Sequence, residues 1–183
     1  AHSDLVVVHI DAHTDTYRGD GNQDYMRFNV ATTFTRAAEE ALIDVESSIH
    51  VGARGPTNDS GVFNHTRDVG YGLIDGTELF NAGLRNTAKN IVESLKGRSV
   101  YLCFDMDFFD PSCAPGVCTP TWGGATSREG LDFLQNLTGL NLVGADINTV
   151  SPPHDISGMT AFLAATVGLE ILSVICHSKG LVE

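Results

Sequence analysis

The chain has 183 residues, enough to bury a core within one domain. Its 42% hydrophobic and 19% charged residues are those of an ordinary globular protein rather than a disordered or fibrous one. A formal net charge of −12 argues against binding to a phosphate backbone, and so against a nucleic-acid partner, and is compatible with a cationic small-molecule substrate.

In chain order, Leu5 to Ile10 (LVVVHI) is a continuous β-branched run suited to a strand buried on both faces. Thr33 to Ala41 predicts a helix with Phe34, Ala37, Ala38 and Ala41 on one side. Ser48 to Ala53 predicts a second strand, Gly55 to Gly61 a turn-prone segment, and Gly72 to Ile74 a short strand. Leu84 to Leu95 carries an apolar face of Leu84, Ala88, Ile91, Val92 and Leu95 and is stopped by Gly97. Ser99 to Phe104 is the next strand, followed by a Gly/Pro-rich loop from Asp105 to Gly124. Thr126-Ser127-Arg128-Glu129 has the form of a capping box opening a helix that ends near Leu137. Leu140 to Asp146 is a further strand. Ser151-Pro152-Pro153 then breaks the chain before a last helix from about Met159 to His177.

Strands alternating with helices predict a three-layer α/β/α domain on a mainly parallel sheet, with residues 1–183 forming one domain. The apolar stretch from Ala161 to Cys176 is interrupted by Thr166, Gly168, Glu170 and Ser173, and reads as a buried helix rather than a membrane span. Cys103, Cys113, Cys118 and Cys176 include no CxxC pair and are expected to be reduced thiols. No basic segment with an apolar run opens the chain, so the expectation is a cytoplasmic protein.

The acidic clusters sit where strands end. The strand from Leu5 runs into Asp11-Ala12-His13-Thr14-Asp15, the strand from Ser99 into Asp105-Met106-Asp107, and the strand from Leu140 into Asp146. In an open α/β sheet, ligands bind outside the carboxyl ends of parallel strands. One Asp after a strand is usually a turn residue or a helix cap. Three potential ligands in five positions are unusual, and alternation sets Asp11, His13 and Asp15 on one side of an extended segment. Clustered like charges repel unless cations neutralise them, and carboxylates with imidazole suit Mn²⁺, Zn²⁺, Ni²⁺ or Fe²⁺.

DAHTD, then DMDFFDPSCAPG, then GADINTVSPPHD follow the order and approximate spacing of the ureohydrolase signatures, and on these motifs the chain resembles the arginase and agmatinase family. The resemblance extends over nearly the whole chain, including Phe34-Thr35-Arg36-Ala37. It implies a guanidino substrate hydrolysed to urea and an amine or ammonia. It also implies two divalent ions, Mn²⁺ foremost and Ni²⁺ as the alternative, and a homo-oligomer, trimer or hexamer. Asp11 and Asp105 would bridge both ions, His13 and Asp107 would complete one, and Asp15 would help hold the other. Asp107 would pass a proton or hold the intermediate, and Asp146 could contact the guanidinium.

The family's remaining histidine ligand lies in an upstream Gly-Gly-Asp-His segment that this sequence lacks, so the expectation is a portion of a longer protein opening on a strand that belongs mid-sheet. His2 and His9 are not placed to substitute for that ligand, and His50, His65 and His177 read as core or surface residues. Three departures bear on function. Val30 stands where many members carry a proton-shuttle histidine. Thr149 stands where many carry a guanidinium-binding Glu. Trp122 lies in the loop that usually reads Glu-Pro-Gly-Gly. Thr149 and Trp122 resemble the guanidine hydrolase branch and favour a small guanidino substrate. Agmatine- and guanidinobutyrate-like substrates stay open, as does a non-catalytic homologue acting as an oligomer subunit.

Overall fold

The computed structural model describes residues 4–19 and 24–181. Five strands form one all-parallel sheet: β1 (Val6–Ile10), β2 (Ile49–Val51), β3 (Gly72–Ile74), β4 (Ser99–Asp105) and β5 (Asn141–Asn148). Their order is β3-β2-β1-β4-β5. The helices are α1 (Asp24–Arg27), α2 (Thr33–Glu39), α3 (Val62–Val69), α4 (Gly76–Ala82), α5 (Leu84–Ser94), α6 (Ser127–Gln135) and α7 (Met159–Ser178). Three of them, α1, α3 and α4, fall in stretches to which the sequence assigned no element. Asp75 caps α4 through a reciprocal capping box with Glu78, the same device that Thr126 and Glu129 supply to α6 as predicted.

The first strand is central, as expected, but both of its neighbours come from this chain. The edges of the sheet are therefore β3 and β5, not β1. Strand alternation divides the buried residues between two faces. Val6, Val8 and Ile10 of β1 join Val51, Val100, Leu102 and Phe104 on one face, under α4 to α7, in the main core. The opposite face is smaller, with Val7, Phe34, Tyr71 and Cys103 packed beside α2 and α3. That division makes the three layers.

The last helix departs from expectation. It buries only Thr160, Val167, Ile171 and Val174, while Met159, Phe162, Leu169 and Leu172 are exposed, Phe162 to 74%. By length and apolarity alone α7 could cross a bilayer. Packing against β5 and α6 accounts for one of its faces only. Its nearly uniform apolarity concealed which face would be covered.

Under the site, Phe104, Phe108, Phe109 and Phe133 stack with ring centroids 5.6–6.0 Å apart. Gly130 of α6 faces that stack, and a methyl group there would lie 2.2 Å from the Phe109 ring. Phe109 is fully buried and cannot swing away. Helix propensity alone would make Gly130→Ala stabilising by about 0.5–1 kcal/mol. The overlap is expected to reverse that sign and cost about 1–3 kcal/mol. Urea denaturation checks it, and a Gly130→Ala variant as stable as the parent would show that the stack yields.

Candidate metal centre

The site lies at the carboxyl ends of β1 and β4, which pair in register from Val6–Val100 to Ile10–Phe104. This pairing sets Asp11 and Asp105 side by side. The segment after β1 bends rather than staying extended, and Asp15 adopts a left-handed φ of 50°. The buried hydroxyls of Thr14, Thr16 and Thr66 tie that bend to α3, with Thr16 Oγ1 donating to Thr14 Oγ1 at 2.8 Å and lying 2.5 Å from Thr66 Oγ1. The Asp15 carbonyl accepts the backbone N–H of Phe34 at 3.0 Å.

Asp11, His13 and Asp107 each offer a ligand atom within 4.8 Å of the others, and so do His9, Asp11 and Asp15. Nδ1 of His13 lies 3.2 Å from Asp11 Oδ1 and 3.1 Å from Asp107 Oδ2. Asp107 also accepts from the Ala12 N–H at 3.1 Å and from the Thr119 hydroxyl at 3.1 Å. Asp105 accepts from the Asp107 N–H at 3.1 Å and from the Thr149 hydroxyl. Thr149 itself holds a φ of 73°, strained for a β-branched residue, so its hydroxyl is aimed at Asp105 at a conformational cost of about 1–3 kcal/mol.

The electrostatics are those of crowded acids. Burial, then repulsion from Asp11 and Asp107, pushes Asp105 up to about 8. Burial and the charge of Asp11 push Asp15 up to about 6, and burial raises Asp107. Asp11 stays ionised: burial opposes its charge, but His9 and His13 outweigh that and hold it well below the carboxylate range. Burial likewise opposes a charge on His13, yet hydrogen bonds to Asp107 and Asp11 raise it to about 10. An oxygen-rich set of acids that repel one another, completed by imidazole, fits divalent cations.

Of these groups, His13 and Asp15 line a cleft of about 930 Å³, together with Tyr17, Asp59, Thr121 and Trp122, among others. Trp122 is 75% exposed, and Val30 is exposed in the cleft lining. Asp146 is not where the sequence suggested. The strand β5 continues to Asn148, so Asp146 lies inside it, paired with Cys103. Its carboxylate accepts from Tyr101 Oη and Asn148 Nδ2, each at 2.6 Å. The loop after β4 is short of regular structure but not loose. Arg54 donates to the carbonyls of Asp107 and Thr121 at 2.8 Å each and of Trp122 at 3.3 Å, joining the end of β4 to the cleft wall.

Sequence reasoning passed over Arg54, although it directly follows a predicted strand, the same signal that marked the acids. It also set His9 aside as internal to β1. His9 is internal, at 1% exposure, yet its Nε2 reaches Asp11 Oδ2 at 2.9 Å, as its two-residue spacing from Asp11 allowed. His50 is buried and His65 and His177 are partly so, while His2 lies outside the described residues.

Asp15, Asp105 and His13 all hold protons more tightly folded than unfolded. Their contribution to the stability of the metal-free chain is present at low pH and lost as pH rises through the folded values. Asp11 shifts the other way, but its contribution is lost only in strong acid. The metal-free chain should therefore melt at progressively lower temperature between about pH 5 and about pH 9, and Mn²⁺ should flatten that slope. A melting temperature that rises across this range would contradict the crowding.

The arginase family profile matches residues 1–173. The chain is 34% identical over 177 residues to a guanidinobutyrase of Pseudomonas aeruginosa, covering 95% of this chain and 54% of that protein. It is 36% identical over 168 residues to an agmatinase of Neisseria meningitidis serogroup C, covering 92% and 50% respectively. The solved proclavaminate amidino hydrolase of Streptomyces clavuligerus superposes with a TM-score of 0.87 at 35% identity, over 97% of this chain and 57% of that one. The chain thus spans about half the length of the relatives it matches. Over that span the parallel sheet, the acids at its strand ends and the family profile coincide, and the chain belongs to the arginase family.

Proposed function

We propose that this chain forms the binuclear metal centre of a ureohydrolase, which cleaves a C–N bond of a guanidino compound to give urea and an amine or ammonia. The observation that carries the reading is the convergence of Asp11, His13 and Asp107 beside Asp15, with Asp105 close enough to Asp11 and Asp107 to be pushed up to about 8. Asp11 and Asp105 would be shared by two divalent ions, His13 and Asp107 would serve one, and Asp15 the other, with Mn²⁺ the first candidate and Ni²⁺ the second. Such ions supply the charge that offsets these acids and acidify a water near neutral pH.

The chain's own groups account for the remaining steps. Asp107, held from three sides by Ala12, His13 and Thr119, is fixed in place to take a proton and return it to the leaving amine. Thr149 presents its hydroxyl to Asp105 instead of offering a carboxylate to the substrate, so one charge-assisted contact to a guanidinium is absent. The exposed face of Trp122 on the cleft can stack on a guanidinium, a contact worth about 0.5–2 kcal/mol depending on desolvation. These features favour a small guanidino substrate, guanidine or a guanidinobutyrate- or agmatine-like molecule, over arginine. Asp146, occupied by Tyr101 and Asn148, serves as a support rather than a guanidinium contact.

Val30 favours a second reading. It is 83% exposed on the cleft and cannot carry a proton, as a subunit that binds metal without turning over would allow.

Asp105→Asn is expected to lose at least one ion per chain by elemental analysis and to abolish urea release. Retention of the full metal load would remove the bridging role. Urea release from the Mn²⁺- or Ni²⁺-loaded protein separates the two readings when measured across guanidine, guanidinobutyrate, agmatine and arginine. Bound metal with no urea supports the non-catalytic one. Arginine as best substrate, or an unchanged ranking in Trp122→Ala, would refute the substrate assignment.

A further inference from the structure

We propose that His9 is a positioning residue for Asp11: its Nε2–H fixes the rotation of the Asp11 carboxylate, and His50 in turn holds His9. This rests on the metal-centre reading above, because the carboxylate so fixed is the one assigned to both ions.

The geometry begins with register. His9 pairs with His50 on one side and with Cys103 on the other, all on the less apolar face of the sheet. His9 Nε2 stands 2.9 Å from Asp11 Oδ2. The other oxygen of the same carboxylate, Oδ1, accepts the His13 backbone N–H at 2.6 Å and faces His13 Nδ1 at 3.2 Å. Both oxygens are thus engaged by separate groups, and the carboxylate cannot turn without losing a bond.

The direction of the bond from His9 does not depend on where the second proton sits. An ionised carboxylate only accepts, so the nitrogen facing it must carry hydrogen. His9 Nδ1 and His50 Nδ1 are 2.8 Å apart, which requires one proton between them, on either ring. Both arrangements leave Nε2–H pointing at Asp11. Neither ring is free to flip. Phe34 lies 4.4 Å from His9 and Tyr71 lies 4.7 Å from His50, centroid to centroid, and the Tyr71 hydroxyl donates to the Phe34 carbonyl at 2.8 Å.

Both imidazoles are only 1% exposed, beside an apolar cluster of Val7, Phe34, Tyr71 and Cys103. Burying two polar rings there brings no stability that aliphatic side chains would not bring more readily. What the pair supplies is a fixed donor behind a ligand. Groups that orient ligands in this way typically matter by about 10- to 100-fold in metal affinity. His9 could also be taken for a ligand itself, since Asp11 and Asp15 are within reach. The bond it makes to Asp11 uses the nitrogen that ligation would need.

The test is calorimetric titration of the metal-free 183-residue chain with Mn²⁺ for the wild type, His9→Gln and His9→Asn, with the melting temperature of each metal-free form. The Gln amide nitrogen falls near the position of Nε2 and can still donate to Asp11, whereas that of Asn falls near Nδ1 and cannot. The expected result is a loss of about tenfold or more in the tighter affinity for His9→Asn, with His9→Gln close to wild type. A purely structural role would lower both melting temperatures and leave the two affinities together. Equal affinity in His9→Asn and the wild type would overturn the positioning role alone. Equally deep loss in both variants would overturn it in favour of direct ligation. No Mn²⁺ binding by the wild type would remove the metal reading itself, and the proposal with it.

Discussion

Repulsion among four carboxylates is the constraint around which this molecule is arranged. Asp11, Asp15, Asp105 and Asp107 meet where β1 and β4 end, and the parallel pairing of those strands leaves them no way to separate. The surroundings offset the charge with donors: backbone N–H groups of Ala12, His13 and Asp107, hydroxyls of Thr119 and Thr149, and the imidazoles of His9 and His13. The compensation is incomplete. Asp105 and Asp15 are still pushed upward, and two non-glycine residues, Asp15 and Thr149, sit at positive φ in the same place. Backbone strain and shifted carboxyl groups of this kind cluster at functional sites.

The two faces of the sheet divide the labour. One is an apolar core in which Phe104, Phe108, Phe109 and Phe133 lock together directly beneath the site. That packing holds the 106–109 segment rigid, so Asp107 is carried on a fixed support. The other face is thinner and partly polar: His9, His50 and Cys103 lie there, and Tyr101 and Asp146 continue it toward the β5 edge. Stability comes mainly from the first face and the orientation of groups around Asp11 from the second. Arg54 couples the site to its wall, because its guanidinium binds carbonyls on either side of the long loop after β4.

The chain's outer boundary has a different character from its site. Strand β5 is an edge, and α7, packed on it, turns Phe162, Leu169 and Leu172 outward. An apolar stripe of this kind beside the free edge of a sheet is unusual on a protein surface. It lies in a chain that spans about half the length of its relatives.

The amino-acid sequence by itself determined the alternation of strands and helices, the capping box at Thr126, the placement of DAHTD and DMD at strand ends, and the family. All of these are local: a run of β-branched residues or a five-residue motif is legible without knowing what lies across from it. Periodicity was less useful where it was weak or uniform. It missed the short α1, α3 and α4, and it could not show which face of α7 is covered. Only the tertiary structure decided that β1 has both neighbours, that Asp146 is turned toward Tyr101, that Thr149 points at Asp105, and that His9 and Arg54 belong to the site. Apart from the contact of His9 with Asp11, which are close neighbours in the chain, these are contacts between residues tens of positions apart: 45 for Asp146 and Tyr101, 44 for Thr149 and Asp105, 53 for Arg54 and the Asp107 carbonyl. Strand order and register set such contacts, and these are settled by the packing of the whole sheet rather than by any segment of it.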